Sequence, residues 1–196
     1  MKSVGANDFS LGSEGLKGHL LIATPSLDRG IFKSSVTYIC EHNSDGAMGV
    51  IINRPSSLTF SEILDEFQSA EESALGSSPV LLGGPVGMQR GFVLHQGGER
   101  EWESSMPIES EIYLTGSKDI LRALARHEGP DDYLLTLGYA GWSGGQLEQE
   151  LIDNSWLTVP ANAQILFDVP YEKRFAFALE MLGISEASLS SAGGSA

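Results

Sequence analysis

The chain has very little cysteine. Cys40 is the only one in 196 residues, so an intramolecular disulfide is excluded and no cysteine pair is available to hold a metal. Set in Val36-Thr37-Tyr38-Ile39-Cys40, it reads as a small buried hydrophobe rather than a nucleophile. Positive charge is also scarce: 12 Lys and Arg stand against 26 Asp and Glu, for a net charge of −14 and a pI near 4.5. No Lys or Arg occurs from Pro55 through Gln89 or from His127 through Glu172. Nucleic-acid binders gain affinity by neutralising phosphates with such residues, so direct nucleic-acid binding is not expected. Long hydrophobic runs are missing too. Leu20-Leu21-Ile22-Ala23 is far too short to span a bilayer, and no leader or lipidation signal is visible. These absences predict a soluble, cytoplasmic protein with no membrane partner.

The chain does have enough apolar material for a core, at 41% hydrophobic residues, and 23 glycines for tight turns between short elements. The charged fraction of 19% argues against compositional disorder. One domain is expected over 16–184, between flexible segments at 1–15 and 185–196. Strands are predicted at His19 to Thr24, at Ser35 to His42 and Ala47 to Asn53 around an Asp45-Gly46 hairpin turn, and at Trp156 to Val159 and Gln164 to Phe167. Val80-Leu81-Leu82 and Gly91 to His95 read as a further pair around Gly83-Gly84-Pro85. Thr59-Phe60-Ser61-Glu62 is a capping box that opens a helix with a Phe60, Ile63, Leu64, Phe67 stripe. Ser117 is expected to cap a second helix, with Ile120, Leu121, Leu124 and Ala125 inward. That helix lies between strand-like runs Glu111 to Thr115 and Asp132 to Tyr139, which suggests a crossover and a parallel pair. A glycine-rich corner after Gly138 leads to a short helix burying Leu147 and Leu151. A last helix starts near Pro170, buries Phe175, Ala178, Leu179 and Leu182, and stops at Gly183. The fold class is α+β: a single compact domain with a large mixed, mostly antiparallel sheet packed by about four helices.

Several segments recur as a recognisable set. They are Leu20 to Pro25, Ser35 to His42, Gly46-Ala47-Met48-Gly49-Val50-Ile51-Ile52-Asn53-Arg54-Pro55, Gly83-Gly84-Pro85-Val86 and Arg90-Gly91-Phe92-Val93-Leu94-His95. The densest block is Gly138-Tyr139-Ala140-Gly141-Trp142, followed by Gly145-Gln146-Leu147-Glu148 and Trp156-Leu157. In this order they make the chain similar to the AlgH/YqgE family from about Gly15 to Ile184. The resemblance implies a compact α+β fold and a bacterial, cytosolic origin. It also brings a historical label as a transcriptional regulator, but no known reaction, catalytic residue or cofactor. With no helix-turn-helix in view, it implies indirect regulation rather than operator reading.

Each candidate for chemistry has a structural alternative. Gly141-Trp142-Ser143-Gly144-Gly145 has the form of a nucleophile elbow, which would make Ser143 the nucleophile of a hydrolase. That order needs a later histidine, yet His19, His42, His95 and His127 all precede it; Ser143 with Gln146 reads instead as a capping box. The same corner, and Gly83 to Gly87, could bind an anion through backbone amides, but no Lys follows either one. Glu41 and His42, with Asp45 and with His95 at another strand end, form a possible acid–base or metal cluster, although no metal-ligand spacing supports it and no metal or other cofactor is expected. Asn53-Arg54 and Arg90 could form a carboxylate or phosphate clamp or make salt bridges to Glu41. Trp142, Trp156 and Tyr139 either close the core or present a partner surface. The acidic residues Glu99, Glu101, Glu103, Glu109 and Glu111 read as a solvated face. The favoured expectation is a non-enzymatic regulatory or interaction domain. Its contact region would be Tyr139, Gly141, Trp142, Gly145 and Gln146 with Gly84 and Pro85, facing a protein partner or small molecule. The second is a small-molecule enzyme or sensor that uses Glu41, His42, Arg54 and His95.

Overall fold

β-branched and aliphatic residues dominate the strands, and the sheet they form organises everything else. The structure is a computed structural model and describes residues 15–65, 79–97 and 101–192. The strands are β1 (His19–Ala23), β2 (Val36–Asn43), β3 (Gly46–Ile51), β4 (Pro55–Thr59), β5 (Pro79–Leu82), β6 (Val86–Gln96), β7 (Ser105–Glu109), β8 (Ile112–Thr115), β9 (Tyr133–Ser143) and β10 (Trp156–Pro160). They lie in the order β10-β1-β2-β3-β9-β6-β8-β7, with β5 also paired to β9 and β4 to β5. Every pairing is antiparallel except β5 with β9. The helices are α1 (Phe60–Asp65), α2 (Lys118–Ala125), α3 (Gln146–Ile152), α4 (Arg174–Met181) and α5 (Glu186–Ala192). The α+β class with a mixed, mostly antiparallel sheet is therefore as the sequence predicts.

Period-two alternation sends the strand side chains to opposite faces. One face carries Leu20, Ile22, Val36, Tyr38, Val50, Phe92 and Leu94, and Ala178 and Leu179 of α4 pack onto it. On the other face α3 covers Leu21, Ile39, Ala140, Trp142 and Trp156, while α2 and Phe60 cover Val80, Val93, Leu135 and Leu137. The stripe predicted for α2 is buried as expected. No helix among the described residues is long and apolar enough to cross a membrane.

Five local expectations are corrected. β5 and β6 are not partners, because β9 lies between them. β8 and β9 run parallel but are not adjacent, because β6 separates them. β9 does not end at Tyr139; it bends at Gly138, which adopts φ +69, and continues to Ser143. Gln164–Asp168 is a helical turn rather than a strand, opened by the Asn162 side chain, which accepts from the Ile165 amide at 3.0 Å. Ser117 stands at the α2 N-cap but its hydroxyl accepts from the Ser104 amide, tying the loop before β7 to the helix instead of capping it. The Thr59 and Glu62 box does form: the carboxylate accepts from the Thr59 amide at 2.7 Å and the hydroxyl from the Glu62 amide at 3.5 Å. Phe67 and Glu99 lie outside the described residues, and 186–192, expected within a tail, are helical.

The bend in β9 decides where the motifs meet. On one edge β9 pairs with β5 up to Leu137 and with β3 from Ala140 onward. Gly138 is the point of exchange. Gly83 fills the gap: its amide donates to Leu137 O at 2.7 Å and its carbonyl accepts from the Ile51 amide at 2.8 Å. At the neighbouring Gly84, a Cβ would fall 2.1 Å from the Tyr139 carbonyl carbon and 2.3 Å from the Ala140 nitrogen. Two backbones thus cross at a distance that only glycine allows.

Candidate functional site

The densest motif is resolved by its hydrogen bonds. Trp142 and Trp156 are buried edge to face, with ring centroids 6.1 Å apart, and Phe32 closes on Trp156 at 5.7 Å. Both indole N–H groups donate to the same oxygen of Glu150, at 2.9 and 2.8 Å. The other Glu150 oxygen accepts from Gln146 Nε2 at 2.9 Å, and Gln146 Oε1 accepts from the Ser143 amide and hydroxyl at 3.1 and 3.2 Å. Gly145, at φ +79, is the N-cap residue of α3. The glutamine half of the predicted box therefore forms, while the cap position moves from Ser143 to Gly145. Ser143 Oγ points to an amide oxygen, which cannot take its proton as a catalytic base would.

His42 belongs to the same corner. Its Nδ1 accepts from the Leu16 amide at 2.9 Å, so its Nε2 carries the proton donated to Glu148 at 2.8 Å. α3 is thus fastened through Glu148 on one side of the helix and Glu150 on another. The sequence assigned neither carboxylate a hydrogen-bond partner. Their i, i+2 spacing puts them on different sides of the helix, each toward its own donor.

The remaining candidates lie elsewhere. His42 stands opposite Ala47, which pairs with Trp142, whereas His95 pairs with Tyr133. These two rows are nine residues apart on β9, roughly 30 Å of extended chain. Buried His95 donates from Nδ1 to Gln96 O at 3.0 Å, and its Nε2 accepts from Thr115 Oγ1 at 2.9 Å, which in turn bonds Ser105 Oγ at 2.7 Å. Burial lowers its pKa below the ordinary histidine value, the Gln96 carbonyl opposing the shift, so the ring is neutral. Asn53 replaces a missing strand partner, accepting from the Val36 amide and donating to Ser34 O, both at 2.8 Å. Arg54 donates to Lys33 O at 2.6 Å. Arg90 lies over the Phe92 ring at 5.5 Å. Among the described residues neither arginine pairs with Glu41, whose carboxylate accepts from Asn43 at 3.2 Å. Glu41, His42, Arg54 and His95 are not brought to one point. Glu41 does share a shallow cleft of about 320 Å³ with Asn43, Asp45, Met48 and Trp142.

Gly84, Pro85, Tyr139 and Arg90 do come together, at the backbone crossing. Between the pairs Val86 with Tyr139 and Gly91 with Leu137, β6 advances five residues while β9 advances two, so three extra residues are pushed out. In this projection Val86 is 41% and Met88 48% exposed. Arg90 stacks on Phe92, and Phe92 meets Tyr139 edge to face at 6.1 Å. Exposed Glu101, Glu103, Glu109 and Glu111 match the predicted solvated face.

The AlgH-like family model matches residues 20–187, which spans every element from β1 to the start of α5. The chain belongs to the AlgH-like family. A UPF0301 protein of Saccharophagus degradans is 48% identical over 86% of this chain and 83% of its own, and one of Thioalkalivibrio sulfidiphilus is 49% identical over 88% and 92%. The solution structure of the AlgH protein from Pseudomonas aeruginosa superposes with a TM-score of 0.77 at 42% identity, covering 100% of this chain and 98% of that one. A crystal structure of a Corynebacterium diphtheriae protein shares the fold at a TM-score of 0.67 and 19% identity, over 84% and 86% of the two chains. The AlgH-like domain thus accounts for nearly the whole chain. The residues that marked the resemblance now have positions in it: the Gly138 to Trp142 block carries the β9 bend and the indole pair, and Gly83-Gly84-Pro85 crosses beneath it.

Proposed function

We propose that this AlgH-like domain is a non-enzymatic interaction module that docks a protein partner through the Val86–Arg90 projection and the adjoining Tyr139 face. The projection itself supports the reading: two large apolar side chains are held out from a backbone clamped at Gly84 and Gly138, beside an arginine and a tyrosine. Exposed Met and Arg beside a half-buried Tyr on a rigid support are residue types enriched where protein interfaces concentrate their binding energy. Sheet pairing on both sides of the projection keeps the ordering cost of binding low. Any regulatory role would run through that partner rather than through DNA, because a net charge of −14 opposes phosphate contact. Of the contact region expected around Tyr139, Trp142 and Gln146 with Gly84 and Pro85, this surface keeps Pro85 and Tyr139 and adds Arg90, since Trp142 is buried and Gln146 is bound to Ser143 and Glu150.

The test places a photo-crosslinking residue at Met88 and, separately, at Ile152, which is 70% exposed on α3. In bacterial cells, position 88 is expected to give a discrete adduct that Arg90→Glu abolishes, and position 152 none. No adduct at 88, or the same pattern from both positions, overturns the assignment.

A further inference from the structure

Arg174 is the only Lys, Arg, Asp or Glu buried among the described residues, at 3% exposure. Its Nε donates to Val169 O at 2.9 Å, one terminal nitrogen to Leu166 O at 2.9 Å and the other to Ile52 O. A guanidinium carries five N–H donors, so one hydrogen remains on each terminal nitrogen. The carbonyls fix the group in place, but they do not neutralise it. No described carboxylate lies within ion-pair distance, and Glu172, whose charge acts on it through space, is exposed. Burial draws the pKa down to about 10 while Glu172 pulls the other way, so the side chain remains cationic at neutral pH. A buried charge of this kind favours any counter-ion that can reach it.

A route to it exists. Arg174 borders a cleft of about 230 Å³ where the N-terminal ends of β5 and β9 face the turn at Tyr171–Lys173. Pro79, Leu81 and Leu134 make its walls apolar, and Tyr133 and Tyr171 complete them. One cation beneath apolar and aromatic walls suits a ligand with one anionic end and a compact apolar body. The volume limits that body to on the order of ten non-hydrogen atoms. We infer that this cleft is a binding site for a small organic carboxylate, with the carboxylate on the two remaining Arg174 donors and the apolar body between Leu81 and Leu134, which lies on the α4 face of the sheet. A phosphate ester fits less well, since a doubly charged group would meet a single cation in a strongly acidic protein. This inference does not depend on the projection at Val86–Arg90.

The experiment uses the full chain, with phenylacetate as the probe, phenylacetamide as its uncharged counterpart and inorganic phosphate as an anion without an apolar body. The readout is the NMR signal of the Arg174 Nε–H and of the Tyr133 and Tyr171 rings. Phenylacetate is expected to shift all three saturably with a Kd below about 1 mM, and phenylacetamide to bind at least about tenfold more weakly. Tyr171→Ala lies outside the core and is expected to keep the fold while weakening phenylacetate several-fold. Arg174→Lys, where it folds, is expected to abolish the response, because one ammonium does not reproduce the fork. The site is overturned by three silent signals at about 20 mM phenylacetate, by equal affinity for the amide, by phosphate reproducing the Arg174 shift, or by a Tyr171→Ala variant that binds like the parent.

Discussion

The two halves of β9 use glycine and aromatic residues to opposite ends. Beyond Gly138, the strand and α3 lock together: two indoles and a glutamine close around Glu150, Ser143 closes on that glutamine, and His42 closes on Glu148. At Gly138 itself the same strand supports a projection that leaves Val86 and Met88 in solvent. One region satisfies its polar groups internally, and the other holds apolar side chains outward on a backbone with no room to yield. The number of motif residues in a segment therefore does not report how much of it is left unengaged at the surface. The corner with most of the sequence signature is the one whose side chains are already engaged.

The sharpest way to break this contrast is at the crossing both halves share. Gly84→Ala places a methyl group within 2.1 Å of the Tyr139 backbone, and neither chain can move without breaking the Gly83 bridge between β3 and β9. A loss of more than about 4 kcal/mol is expected, read as failure to accumulate folded protein or as a collapsed urea midpoint. Glu150→Ala is the next largest. It strands two half-buried indole donors and frees Gln146, at a cost of about 2–4 kcal/mol. Tryptophan emission should move to longer wavelength as α3 loosens. A variant as stable as the parent would show that the network is ornamental.

What could be read from the sequence follows the same division. The β-branched-rich runs of Val36–Asn43 and Gly46–Ile51, set around an Asp-Gly turn, and the α2 stripe were visible because their signals are local. Partners across β9 were not. Val80-Leu81-Leu82 and Gly91 to His95 flank a turn and look like a hairpin, but the Gly83-Gly84-Pro85 link carries the chain across β9 instead of folding it back. Nothing within a few residues encodes that choice. Arg174 was hidden for a related reason. Next to Lys173 and Glu172 it looked like one more surface charge, although its place at the head of the Phe175, Ala178, Leu179 stripe was the available clue. Glu150 was legible only as an acidic residue, because its two indole donors come from β9 and β10.

His95 offers a smaller and reversible perturbation of the region away from both halves of the contrast. Its folded pKa is depressed by burial from an ordinary value of 6.5. The unfolded chain therefore binds a proton that the folded chain refuses. The contribution of neutral His95 is fully present above pH 6.5 and is lost as the pH falls below it. Tm should decline on that acidic side, and His95→Gln should flatten that part of the profile. An unchanged profile in the variant would assign the decline to other groups.

The smallest expected effect on stability separates the two regions most cleanly. Met88→Asp removes an apolar side chain that is 48% exposed and buries nothing in its place. The fold should be unaffected to within about 0.5 kcal/mol, as for surface changes remote from caps and cores. Binding should respond very differently. An interface built around Met88 would have to desolvate the new carboxylate without a counter-charge, except where Arg90 turns from Phe92 to meet it. The double variant Met88→Asp, Arg90→Ala removes that escape, so it should bind more weakly than either single change while melting at nearly the parent temperature. If instead Met88→Asp lowers Tm by several degrees, the projection is part of the core's support. The contrast between a self-satisfied corner and an outward-facing one would then fail.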